Sequence, residues 1–257
     1  MVDGRLSGQT GGRGKQTTKC ADCPLRSRRL FKPFTPETLA FMQAFKTGEM
    51  VIEPGTPLLS EGSSTPQVYT ALSGLGLRYK TLHDGGRQVI SFVMPGDFIG
   101  LQAGVMGEMK HSVEATTEMT LCVFDRSSIW NLFKSEPERA FDLTWIAAIE
   151  EHFLGESLAA LGQQSGRERV AWALVRLYKQ LSALDLRKKN SVPLPYRQND
   201  LADALGLSLV HTNKILSRLR LGGLAIWTNG VLTVPSLPAL AAVSGEDAEA
   251  EPVRPLI

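Results

Sequence analysis

The sequence predicts an α+β chain in three parts: an N-terminal β-roll of jelly-roll type, a long helix, and a C-terminal winged helix-turn-helix. Three observations carry this expectation. Short β-runs separated by Gly and Pro turns fill residues 50–124. An uninterrupted helix-like segment then runs from Pro137 to Gly162. Near the end, a short apolar helix, a glycine turn and a capped second helix precede an Asn-Gly hairpin. The parts fall at 1–34 (a basic flexible arm with a cysteine pair), 35–134 (the β-roll), 135–163 (the long helix), 164–240 (the winged helix) and 241–257 (an acidic tail).

The β-roll is read from "EPGTPLL", "LSGLG", "LHDGGRQVISFVMPGDFIG" and "ATTEMTLCVFD", with Asp84-Gly85-Gly86 as a hairpin signal between two strands. The long helix would extend ~39 Å at 1.5 Å per residue, long for a helix packed inside one domain. Leu154, Leu158 and Leu161 step by four and three below Ala147, a heptad-like seam suited to pairing with a second copy. The next helix, "GRERVAWALVRLYKQLSAL", carries Val170, Leu174, Leu177, Leu181 and Leu184 on one face and is broken by "DLRKKNSVPLPY".

In "QNDLADALGLSLVHTNKILSRLRLGGLAIWTNGVLTV", Leu201, Ala202, Leu205 and Leu207 form a short apolar face, Gly206 supplies the turn and Ser208 the cap of the second helix. Ile215, Leu216 and Leu219 bury one side of that helix. Its other side offers Leu209, Val210, Asn213, Lys214, Ser217 and Arg218. Lys214 can donate to guanine, Asn213 can pair with a base edge, and Leu209 and Val210 can touch a thymine methyl. Gln198, Ser208, His211, Ser217 and Arg218 suit phosphates. Double-stranded DNA is the expected partner.

Composition bounds the rest. The 257 residues carry a formal net charge of +2, and 43% are hydrophobic. No apolar run approaches the ~18 residues that span a bilayer, and "MVDGRLSGQTGGRGKQTTK" lacks the apolar core of a secretory signal, so a cytoplasmic protein with no membrane partner is expected. The first 32 residues hold eight Lys/Arg against two Asp, and "SGEDAEAEPVRPLI" is acidic; both read as poorly ordered. No Ser/His/Asp grouping, P-loop, dinucleotide turn or metal-hydrolase motif is present, and His83, His111, His152 and His211 are dispersed, so no enzyme is expected. The three cysteines are Cys20 and Cys23, in "CADCPLRSRR", and Cys122. Taken alone they fit an inert core thiol, a redox dithiol, half a zinc site, or ligands for soft metal chemistry. Lys19, Arg26, Arg28 and Arg29 flank the pair and are expected to favour thiolates.

From about Cys20 to Val234 the chain resembles the Crp/Fnr family of bacterial transcription regulators. The likeness rests on "EPGTPLLSEG", "LSGLGLRYK", "VMPGDFIGL", the long helix and "LADALGLSLVHTNKILSRL". It implies a cyclic-nucleotide-binding-like sensor domain, a homodimer, a palindromic operator with half-sites one turn (~34 Å) apart, and RNA polymerase as a protein partner. The cyclic-AMP branch has a Gly-Glu-Leu turn and an Arg-Ser phosphate grip; here these read Gly100-Leu101-Gln102 and His111-Ser112, so no cyclic nucleotide is expected. "CADC" and "TEMTLCVFD" resemble instead the oxygen-sensing iron–sulfur branch. That resemblance makes Cys20, Cys23 and Cys122 the ligands of a cluster answering to oxygen, nitric oxide or redox state, and tying the arm to the strand of Cys122. Arg29 stands where that branch has a further cysteine, so a 3Fe–4S cluster is implied, or a 4Fe–4S cluster with a non-cysteine fourth ligand, for which Asp22, Asp97 and His111 are candidates. The alternative is a regulator answering to a small organic ligand. In the recognition helix, Val210 and Lys214 replace the family's glutamate and arginine, which implies an altered operator.

Overall fold

The structure, a computed structural model, describes residues 17–246 and 251–257. Helix α1 (Pro36–Phe45) opens on Thr35, whose hydroxyl accepts from the Thr38 N–H at 3.1 Å. It leads into β1 (Lys46–Ile52), β2 (Pro57–Leu59), β3 (Gln67–Ser73), β4 (Gly76–Thr81), β5 (Arg87–Val93), β6 (Phe98–Ile99), a short α2 (Leu101–Met106), β7 (Ser112–Ala115) and β8 (Met119–Asp125). These strands make two antiparallel four-stranded sheets, β1-β8-β3-β6 and β2-β7-β4-β5, the two faces of a jelly roll. Val68, Ala71, Val93, Val113, Met119 and Leu121 are buried in the roll. Gly74 turns between β3 and β4 at φ +86°, where an added Cβ would lie 2.2 Å from the Glu118 carbonyl oxygen; only glycine fits.

Helix α3 (Ile129–Ser135) precedes α4 (Pro137–Gln163), the long helix. Leu143 and Ile146 pack it on the roll, while Ala147, Leu154 and Leu158 face outward and Leu161 is half-buried. Helix α5 (Gly166–Ala183) starts with a reciprocal cap between Ser165 and Glu168 and buries Val170, Leu174, Leu177 and Leu181, with Leu184 just beyond its end. Then come β9 (Ser191–Pro193), α6 (Gln198–Leu205), α7 (Leu209–Leu221), β10 (Ile226–Thr228), β11 (Val231–Thr233) and α8 (Leu237–Ser244). Strand β9 pairs with β11, so the Pro-containing break after α5 is the third strand of the wing.

The winged helix docks on the roll. Arg87 of β5 pairs with Asp200 of α6 at 2.8 Å, the Gln88 amide donates to the Ala204 carbonyl at 3.3 Å, and the Phe92 and Tyr196 rings lie 4.6 Å apart.

Two expectations are corrected. Residues 17–34 and 251–257 are not loose ends, and α8 extends through Ser244 into the span read as acidic tail. Leu25, Leu30 and Phe31 of the arm and Leu256 and Ile257 are all buried, between the roll and α5. The arm and the 251–257 segment pair as backbone: the Arg254 N–H donates to the Leu30 carbonyl at 2.8 Å, and the Lys32 N–H to the Arg254 carbonyl at 2.9 Å. Composition misled because a few apolar residues inside polar stretches carry all of the burial. The expected disorder of 1–16 and 247–250 lies outside the described residues.

Candidate nucleic-acid interface and thiol pocket

Helices α6 and α7 are joined by a turn in which Gly206 adopts φ +61°, closing α6 in a left-handed cap. The Ser208 hydroxyl accepts from the His211 N–H at 3.2 Å and starts α7. Thr212, Ile215 and Leu219 bury the inner face, while Leu216 is only half-buried; sequence reasoning gave Leu216 the place that Thr212 holds. Leu209, Val210, His211, Asn213, Lys214, Ser217 and Arg218 form the exposed face, and Gln198 sits half-buried at the first turn of α6. Val210 is 65% exposed on this face. The wing, β10 and β11, turns at Asn229-Gly230, both with positive φ.

The three cysteines converge. Cys20 begins a 3-10 turn, Cys20–Asp22, in which positions i and i+3 face the same side, and the turn is held to α1 by the Cys20 N–H donating to Gln43 at 2.8 Å. Cys122 lies on β8, the strand between β1 and β3, opposite Glu49 and Thr70. Cys20, Cys23 and Cys122 line one small cavity of about 30 Å³, with Arg26, Lys46 and Thr70 among its other walls. Leu256 and Ile257 also line it, and the Thr70 hydroxyl donates to the Ile257 carbonyl.

The environment corrects the thiolate expectation. Burial pushes Cys122 up to about 11 and also raises Cys20; Lys46 pulls both down, but by less. Lys19 and Arg29 are exposed, and Arg28 is turned toward α5, donating to the Leu184 carbonyl and pairing with Asp185 at 3.7 Å. Of the candidates for a fourth ligand, none lines the thiol cavity: Asp22 is exposed, Asp97 pairs with Arg254 at 3.0 Å, and His111 lies in another cavity.

The donor set suits a soft metal or an iron–sulfur cluster, but the space does not. A cavity of about 30 Å³ holds about two waters, less than the body of a cluster. Among the described residues no three His, Cys, Asp or Glu side chains stand together around one metal position. In this conformation the pocket, with Leu256 and Ile257 among its walls, does not fit a cluster.

A second cavity of about 540 Å³ lies between the roll, α4 and α5, lined by Arg78, Gln102, His111, Trp145 and Phe153 among others. Burial and the neighbouring Arg78 push His111 down to about 4, so it is neutral at neutral pH. Arg78 is itself engaged, with the Phe98 carbonyl at 3.1 Å and Glu150 at 3.3 Å.

A jelly-roll domain, a long helix with an exposed apolar seam, and a winged helix with an open, basic recognition face together define a two-domain, DNA-binding regulator of transcription. Residues 49–136 match the cyclic nucleotide-binding domain, and residues 168–243 the Crp-like helix-turn-helix domain. The chain belongs to the Crp/Fnr family of transcription regulators. The nitrogen fixation regulation protein FixK of Bradyrhizobium diazoefficiens is 30% identical over 227 residues, spanning 87% of this chain and 94% of the relative. The transcriptional activator protein FnrL of Cereibacter sphaeroides is 26% identical over 235 residues, spanning 90% and 94%. The solved structure of FixK2 from Bradyrhizobium japonicum superposes with a TM-score of 0.70 at 25% identity, covering 79% of this chain and 98% of that one. No helix among the described residues is long and apolar enough to cross a membrane.

Proposed function

We propose that this DNA-binding regulator works as a homodimer on a palindromic operator and takes a redox signal through Cys20, Cys23 and Cys122. The observation that carries the signal reading is the convergence of all three cysteines, from an arm and a strand about a hundred residues apart, on one cavity. Pairing through Ala147, Leu154, Leu158 and Leu161 would set two α7 helices in successive major grooves, ~34 Å apart. Lys214 and Asn213 read bases and Arg218 holds phosphate; RNA polymerase is the partner downstream.

An iron–sulfur cluster is the form of input that the resemblance to the iron–sulfur branch implies, and Cys20, Cys23 and Cys122 would hold it once residues 256 and 257 had left the pocket. The test is oxygen-free purification with iron and sulfide analysis, followed by operator binding with and without air. Iron and sulfide in a coloured protein, with affinity that changes on exposure to air, supports the reading. Colourless, metal-free protein whose affinity ignores air overturns it.

The second reading is a regulator answering to an organic ligand, and the cavity of about 540 Å³ favours it. Its mark would be regulation that survives Cys20→Ala unchanged.

A further inference from the structure

The 251–257 segment has an acidic, Pro-containing sequence context, yet its last two residues, Leu256 and Ile257, line the thiol pocket. Pro255, Leu256 and Ile257 are all buried. Three separate anchors hold the segment. Arg254 pairs backbone to backbone with Leu30 and Lys32 in a parallel bridge to Phe31. The Arg254 guanidinium meets Asp97 at 3.0 Å, and Asp97 is fixed by accepting from the Met94 N–H at 2.9 Å. The Thr70 hydroxyl takes the Ile257 carbonyl.

The receiving side is shaped for this. An added Cβ at Gly96, beside Asp97, would lie 2.2 Å from the Phe31 ring, so the glycine lets the arm lie flat against the roll under the segment. Thr70, which holds Ile257, is the cross-strand neighbour of Cys122. The segment is therefore seated on the same few atoms that surround the thiols. Seven residues before Glu251, α8 ends at Ser244, so in sequence the segment follows directly on the DNA-binding unit.

We propose that the three-cysteine pocket is a receptor for the chain's own 253–257 peptide, and that docking of this peptide and metal loading of Cys20, Cys23 and Cys122 exclude one another. Leu256 and Ile257 stand where a metal or cluster would need room; a metal bound by all three sulfurs expels them. Expulsion also unpairs the arm strand at Leu30–Lys32, which lies beside α5 and whose neighbour Arg28 bonds the Leu184 carbonyl. The thiols thus act on the DNA-binding unit through a competing peptide. This goes beyond the redox reading and does not need iron or sulfide.

The test uses the full reduced chain, cadmium ion alone as the probe, and the ultraviolet thiolate–cadmium absorbance as the binding signal. Hydrogen exchange at Arg254 and Lys32 reports the docked peptide. Two variants accompany the wild type: Leu256→Ser with Ile257→Ser, which spoils the buried pair without adding a charged metal ligand, and Arg254→Ala, which removes one anchor and leaves the pocket walls intact. The expected result is cadmium affinity raised about tenfold or more in the double variant and less in Arg254→Ala, with exchange at Arg254 and Lys32 in the wild type accelerated about tenfold by cadmium. Equal cadmium affinity in all three proteins, unchanged exchange on cadmium binding, or no binding to any of them overturns the proposal. Equal affinity would leave the iron–sulfur reading standing, because iron and sulfide analysis decides that separately.

Discussion

The recognition face of α7 comes from one stretch of thirteen residues, started by Ser208 and closed by Gly222. The thiol pocket draws its walls from the arm, α1, three strands of one sheet and the 251–257 segment, and one of its contacts, Thr70 to Ile257, spans 187 positions. A surface of the first kind depends on local capping and on three buried anchors, Thr212, Ile215 and Leu219. One of the second kind depends on every part that closes it, so a change anywhere around it alters the whole. The lesson is that the reading surface rests on local signals, whereas the pocket rests on contacts between distant parts of the chain.

Substitutions can break or sharpen this contrast. The largest effect is expected at the exposed apolar seam of α4. Leu154→Asp with Leu158→Asp places charges on the exposed apolar row, and operator affinity should fall by about a thousandfold as each head binds alone. Sedimentation should show monomer; a variant that stays dimeric with wild-type affinity would move the seam elsewhere. Next is the dock between the units. Asp200, 1% exposed, receives Arg87 and the cap from Arg197 at 2.9 Å, and Asp200→Ala should cost about 2–3 kcal/mol of stability in denaturant unfolding. An unchanged midpoint would mean that the dock adds no stability.

The local surface should answer differently. Lys214→Ala should cost about 1–3 kcal/mol on the operator and little on random DNA, whereas Arg218→Ala should weaken both alike and lower the salt slope by about one. Neither should change cysteine reactivity; a changed thiol reaction rate in either would undo the separation of the two surfaces.

The smallest effect is a pH dependence. His111 sits at about 4 in the folded chain and near 6.5 when unfolded, so the unfolded chain binds the extra proton between those values. Its contribution is complete above about pH 6.5 and is lost as pH falls toward 4. With solvent screening at a partly exposed site it amounts to about 1–2 kcal/mol. The slope of unfolding free energy over that window should flatten in His111→Gln; equal slopes would remove the assignment.

The two surfaces also differed in how much the sequence disclosed. The "LADALGLS" turn, the Ser208 cap and Asn229-Gly230 are local signals, and helix, turn and wing lie where those signals put them. The β-roll was legible from turn spacing for the same reason. The convergence of Cys20, Cys23 and Cys122 was legible only through the family resemblance, since nothing local links residue 23 to residue 122. What closes the pocket was not legible at all. "SGEDAEAEPVRPLI" has the composition of a solvated tail, and its one clue is the apolar Pro255-Leu256-Ile257 at the end of an acidic run. The Arg87–Asp200 dock was equally hidden, because two charged residues 113 positions apart carry no shared pattern. Thiolate character was misjudged because neighbouring charges are visible in sequence and burial is not.

The parallel bridge between Phe31 and Arg254 has a consequence for synthesis. A ribosome makes Cys20, Cys23 and Cys122 well before Ile257, and 135 residues separate Cys122 from that final contact. At about 5–20 residues per second, the sulfurs stand open on the nascent chain for roughly 7–27 s, while the winged helix is still being translated. On the competition proposed above, what reaches them in that interval meets no competitor, and timing during synthesis would set the first occupant of the pocket before affinity does.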